Sequence, residues 1–172
     1  AVTMTDNVIA TLGNSLTVGG AIGDGAATFG LTKSGVGALT LNGANTSGGG
    51  VTLAAGTLNI GDANALGSGT LTLNGGSLDN TSGGTLTLGG NIAQTWNAGF
   101  AFTGTNNLVM GSGVVTLAAN IPITVTAGNL TVSGVIDDGV NTFSLEKTGA
   151  GTLTLGALNT YGGATTIGDG TL

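Results

Sequence analysis

Residues Leu16 to Leu58 return, without a gap, as Leu130 to Leu172. At that offset of 114 residues, about 24 of the 43 aligned positions are identical, including Ile22/Ile136, Asp24/Asp138, Phe29/Phe143, Lys33/Lys147, Leu39/Leu153, Asn45/Asn159 and Leu58/Leu172. After a one-residue slip the match continues upstream, with Ala1–Met4 set against Val114–Leu117. The chain divides on this basis into a first long unit, 1–113, and a partial second, 114–172, continuous with it in one domain. Inside the unit, strands written GTL and LTL recur at roughly 15 to 25 residues, a spacing that belongs to solenoids.

Locally the period is two. GTLTLNGG (Gly69–Gly76), GTLTLGG (Gly84–Gly90), GVVTLAAN (Gly113–Asn120) and GTLTLG (Gly151–Gly156) alternate Leu or Val with Thr between Gly or Asn turns. That is the pattern of short strands with one apolar face. Glycine, at 36 of 172 residues, interrupts every window in which a helix could form. The chain is expected to be all-β. An antiparallel β-sandwich is the alternative, but sandwich cores usually take larger inward side chains than the Leu, Val, Ile and Ala found here. Such residues stack well on like neighbours one coil away, at about 4.8 Å, and Gly and Asn supply the crowded corners. The reading is a parallel β-helix (β-solenoid) of about eight coils, a rod of roughly 40 Å.

Composition excludes most chemistry. Two cations in the whole chain, against eight acids and a net charge of −6, leave no basic patch to neutralise phosphates, so no nucleic-acid partner is expected. Without His or Cys there is no Ser–His–Asp triad, thiol nucleophile, disulfide, or zinc, haem or iron–sulfur site of ordinary ligation. Mean hydropathy is +0.44, yet no apolar run approaches the length of a membrane-spanning helix. No membrane insertion is expected in this segment, which reads as part of something longer.

The segment KTGAGTLTLGALNTYGGATTIGDGTL (Lys147–Leu172) resembles the autotransporter-associated β-strand repeat, also called the passenger-associated transport repeat. Lys33–Leu58 is an earlier copy, which departs from the pattern at Val51 and at Ser47, where Tyr is usual. Leu130–Gly139 and Gln94–Asn120 are similar to the longer form of the repeat in very large bacterial surface proteins. The resemblance implies a passenger segment exported across a Gram-negative-type envelope and displayed at the cell surface. It implies a structural module shared by proteins of different roles.

Asp24, Asp62, Asp137, Asp138 and Asp169 sit in Gly-rich turns, too far apart in the repeat to cage a calcium ion, and are expected to be turn formers that keep the surface acidic. Asp137 and Asp138 lack the further acids and cations of a sugar-cleaving cleft. GLTKSG (Gly30–Gly35) lacks the spacing of a phosphate loop, so Lys33 and Lys147 are expected to be solvated at a coil edge. Thr70/Thr72, Thr85/Thr87 and Thr152/Thr154 should face outward; an ice-binding array would need such pairs on every coil, and they drop out at Val51–Gly56 and Asn107–Gly111. Trp96, Phe100 and Phe102, with Phe29 and Phe143, could stack on sugars but are expected in the core. The sequons at Asn45, Asn80 and Asn129 are expected by chance.

No catalytic, cofactor-binding or metal-binding residue is therefore assigned, and no cofactor. The expected function is a non-enzymatic extracellular rod or fibre, a stalk or self-assembling surface filament. Its partner would be itself, through end-to-end coil stacking or a longer chain, because neither terminus carries a polar capping repeat. The alternative is an adhesin passenger that binds glycans or other cells through its lateral face.

Overall fold

The computed structural model describes all residues 1–172. It contains 21 short strands and no helix. The first coil runs β1 (Val2–Thr3), β2 (Val8–Thr11) and β3 (Leu16–Val18); the second runs β4 (Ile22–Gly23), β5 (Leu31–Ser34) and β6 (Ala38–Leu41). The third and fourth hold two strands each, β7 (Val51–Leu53) with β8 (Thr57–Ile60), and β9 (Leu71–Leu73) with β10 (Ser77–Asn80). Three return in the fifth, β11 (Leu86–Thr87), β12 (Gln94–Trp96) and β13 (Phe100–Phe102). The sixth has β14 (Leu108–Val109), β15 (Val115–Leu117) and β16 (Ile121–Val125). The seventh has β17 (Asn129–Val132), β18 (Ile136–Asp137) and β19 (Leu145–Thr148), and the eighth β20 (Thr152–Leu155) and β21 (Thr165–Ile167).

These strands stack into three faces, and every pairing is parallel. One face is the seven-stranded sheet β2-β5-β7-β9-β12-β15-β18, and the next is the eight-stranded sheet β3-β6-β8-β10-β13-β16-β19-β21. The third face is interrupted: β1 pairs β4, coils three and four cross it without a strand, and β11-β14-β17-β20 resume it. The fold is thus the expected parallel β-solenoid of about eight coils, and the antiparallel sandwich is set aside.

The alternation read from the sequence becomes the division between core and exterior. Leu71, Thr72 and Leu73 are buried, half-buried and buried, and β7 repeats the pattern. Inward residues stack on like residues, as in the column Leu86, Leu108, Leu130, Leu153. A single cluster of 31 buried hydrophobic residues runs through the coils from Met4 to Leu153. Burying a Leu or Ile in such a column contributes about 1.5–3 kcal/mol. Coil length varies: Leu31, Val51, Leu71, Gln94, Val115 and Ile136 share one column, with successive advances of 20, 20, 23, 21 and 21 residues.

The long repeat does not match a whole number of coils. β3, on the eight-stranded face, has its sequence equivalent in β17, on the interrupted face. β4 maps to β18, β5 to β19, β6 to β20 and β7 to β21, each moved on by one face. The pairing Ala38 with Thr57 accordingly recurs as the bridge between Thr152 and Thr171.

Candidate functional site

The two lysines are inside. This corrects the expectation that Lys33 and Lys147 are solvated: they are 0% and 1% exposed. Both occupy inward columns, Lys33 between Ala10 and Leu53, Lys147 between Ile123 and Ile167. The four-carbon stems pack with the core, and each ammonium ends in a corner lined by carbonyls. Lys33 Nζ donates to the oxygens of Ser34 (2.8 Å), Gly35 (2.8 Å) and Ala55 (2.9 Å). Lys147 Nζ donates to Thr148 (2.9 Å), Gly149 (2.6 Å) and Asp169 (3.1 Å), the same cage one repeat later. Three donors meet three acceptors, which is the full capacity of an ammonium. Gly56 closes the first cage with φ +73°; a Cβ there would overlap the Gly35 and Gly37 carbonyls and Lys33 Nζ, and Gly170 stands likewise over Lys147. Burial holds the pKa of both lysines below the usual value, and at Lys147 the nearby Asp169 pulls the other way.

Two of the turn acids are also inside, which corrects their assignment to the surface. Asp24 and Asp138 are buried. Asp24 Oδ2 accepts from the backbone N–H groups of Phe29 (3.0 Å) and, one coil on, Gly48 (2.8 Å). Asp138 Oδ2 does the same for Phe143 (2.8 Å) and Gly162 (3.1 Å). Asn45 Oδ1 accepts from Ile22 N–H at 2.6 Å, and Asn159 Oδ1 from Ile136 N–H at 2.9 Å. The amide of Asn45 also donates to the Ala65 carbonyl. Each of these side chains ties adjacent coils together where the backbone leaves the strand ladder.

Sequence reasoning missed three more buried polar residues. Asp79 holds Thr105 through both oxygens, at 2.9 and 2.6 Å. Asn80 donates to the carbonyls of Gly84 (2.8 Å) and Asn107 (2.6 Å) and accepts from Ser82. Gln94 stands in the column between Leu71 and Val115, donates to Met110 O at 3.0 Å and accepts from Trp96 Nε1 at 3.2 Å. Alternation was the available signal for Gln94, which lies in phase with inward Trp96. No buried side-chain nitrogen or oxygen lacks a hydrogen-bond partner.

Trp96 and Phe102 are fully buried and Phe100 nearly so, with Trp96 and Phe100 edge to face at 5.0 Å. Phe29 and Phe143 are half-buried against the same core. The aromatic cluster is core, as expected, and offers no stacking platform.

The exterior is anionic and without a lysine or arginine side chain, with apolar residues such as Val36, Val140 and Leu158 exposed on it. Its most regular feature is a threonine column on the seven-stranded face: Thr32, Thr52, Thr72, Thr95 and Thr116 in direct register, then Asp137. Thr52 belongs to this row, but the position two residues on is Ala54, so the Thr pair drops out at Val51–Gly56 as expected. The neighbouring column does not match it, holding Ser34, Ala54, Asn74, Asn97 and Ala118 after those strand positions. On the interrupted face, where Val109 separates Thr87 from Thr131, the row does drop out as expected. A shallow polar groove crosses that face at coils three and four, lined by Asn45, Thr46, Asn64 and Ser68. No group of three or more acids is placed to hold a metal ion, and no helix is long and apolar enough to cross a membrane.

The passenger-associated-transport-repeat matches the chain at residues 31–60 and 145–172. These two segments contain the Lys33 and Lys147 cages. The chain is also 36% identical over 187 aligned residues to the adhesin BmaC autotransporter of Brucella suis biovar 1 (strain 1330). The alignment takes in 96% of this chain and 5% of that protein, so the chain spans a small fraction of its relative's length. No solved structure matches it. The chain thus carries two copies of the passenger-associated-transport-repeat, each built around the same lysine cage.

Proposed function

We infer that the chain is a non-enzymatic stretch of a surface-displayed passenger and acts there as a stiff spacer rod. The observation that carries the reading is the way coils are joined. Lys33, Asp24 and Asn45 each bond to the backbone of a neighbouring coil, and Lys147, Asp138 and Asn159 repeat the arrangement. Such ties resist bending at corners, the points where a stack of short strands is weakest. The passenger context, and with it the cell surface of a Gram-negative bacterium, is supported by the repeat family and by the autotransporter relative. In this reading the partner is further solenoid of the same kind, contributed by a longer chain or by end-to-end stacking.

An adhesin role is the second reading, favoured by the relative's name and by the threonine column as a regular lateral face. Electron microscopy of the purified chain and the intact parent protein, paired with glycan-array and cell-binding assays, tests the two. A spacer gives straight, uniform rods in the parent and no saturable binding by the purified chain. Saturable binding lost on replacing Thr52, Thr72 and Thr95 with Glu would overturn it in favour of the adhesin.

A further inference from the structure

The chain contains two Asn–Gly dipeptides, Asn42–Gly43 and Asn74–Gly75, and the fold treats them differently. Glycine after asparagine leaves the following backbone nitrogen unhindered for attack on the side-chain amide carbon, provided the backbone can turn. Both asparagines are exposed. Gly43, however, is buried against the preceding coil: a Cβ there would overlap Gly20 and Ala21 backbone. Gly75 sits in an open corner between β9 and β10, with φ +136° and nothing closer to its Cβ position than Ala54 O at 3.6 Å. Like that of Gly43, its N–H is in no backbone hydrogen bond, so the two sites differ in the space around the glycine. Asn74 Oδ1 accepts a hydrogen bond from Asn97 Nδ2 at 2.7 Å, which draws electron density from the amide carbon.

We propose that Asn74 is a self-modification site, at which the folded protein deamidates selectively while Asn42 is protected. Gly75 N forms a bond to Asn74 Cγ and loses its proton to solvent; the Asn74 Cγ–Nδ2 bond breaks as the –NH2 takes up a proton from solvent and leaves as ammonia. Solvent water then opens the five-membered imide to aspartate or to isoaspartate. No oxidant, metal or enzyme enters the balance. Either product puts a new carboxylate on an exterior that has no lysine or arginine to neutralise it, and isoaspartate also lengthens the corner leading into Ser77, whose N–H pairs with Gly56 O.

The test is peptide mapping by mass spectrometry after incubation of the full chain in mildly alkaline buffer, folded and in denaturant. In the folded chain Asn74 should convert at least about tenfold faster than Asn42, with ammonia released in step, and Asn74→Ser should abolish the fast release. In denaturant the two sites, which share the sequence Asn-Gly followed by a small residue, should react at similar rates. Equal rates in the folded chain would overturn the proposal. So would a preference for Asn74 that survives unfolding, because the selectivity would then belong to local sequence and not to the fold.

Discussion

Lys33 is carried into a column of apolar side chains by an alternation that places it in phase with Leu31, and it stays there because one corner offers three oxygens. The Gly35 and Ala55 carbonyls accept no backbone N–H, so the ammonium is their partner. Lys33→Met keeps the stem's volume and removes the donors. It should lower unfolding free energy by about 2–3 kcal/mol, read as a fall in the urea midpoint at unchanged slope. Lys33→Arg should not rescue it, because Gly56 leaves no room for a guanidinium. With both lysine pKa values below the ordinary 10.5, the unfolded chain binds more protons than the folded one in the window between the folded value and 10.5. Stability should therefore rise with pH across that window and be insensitive to these groups below it. A Lys33→Met/Lys147→Met double variant should lose this alkaline rise relative to the parent; an unchanged profile would show that the lysines do not cause it. Asp24 accepts two N–H bonds through one oxygen, so Asp24→Ala should cost about 2–4 kcal/mol and Asp24→Asn distinctly less, measured by thermal unfolding.

At the level of the strand, the alternation of Leu with Thr fixes which side of each ribbon is buried, and that much is legible from residues such as Leu71, Thr72 and Leu73 alone. What is not legible is register. Coils advance by 19 to 24 residues, so no fixed period assigns Gln94 to the column of Leu71 or Thr52 to that of Thr32. Hydropathy also misplaces the polar residues: it sends Lys33, Asp24 and Asn80 outward, whereas unpaired backbone groups at the corners draw them in. The recurrence of Lys, Asp and Asn at one offset was the sign that they serve the repeat itself. The middle of the unit lacks the lysine cage; Asp79, Asn80 and Gln94 supply its polar ties, and Trp96 fills the column between Leu73 and Leu117. Trp96→Ala should cost about 3–5 kcal/mol and leave Gln94 Oε1 without its indole donor. Trp96→Phe with Gln94→Leu, which removes both polar partners together, should recover much of that loss; denaturant melts of the parent and the two variants check it.

Across the whole molecule, the mismatch between the 114-residue repeat and the coil has a geometric consequence. The repeat advances by about five and a third coils, because β5 on the seven-stranded face is succeeded by β19 on the eight-stranded one. The lysine cage closes equally well in either place, since its partners all lie within the motif, at Ser34 to Ala55 and at Thr148 to Asp169. The motif is thus a portable corner, indifferent to the face it joins, which lets coil length vary between copies without loss of the core. Surface residues do not share that indifference: Thr32 extends a threonine column, while its equivalent Glu146 lies beside Pro122 and Thr166. A lateral feature of the first copy is therefore turned away from its counterpart in the second. Spin labels at Thr17→Cys and Thr131→Cys, equivalent positions on different faces, should lie farther apart than the axial advance of about 26 Å that five and a third coils provide at 4.8 Å each. A distance equal to the axial advance alone would place the two copies on one face. A longer one would mean that tandem copies wind their surface around the rod, presenting no single binding strip along its length.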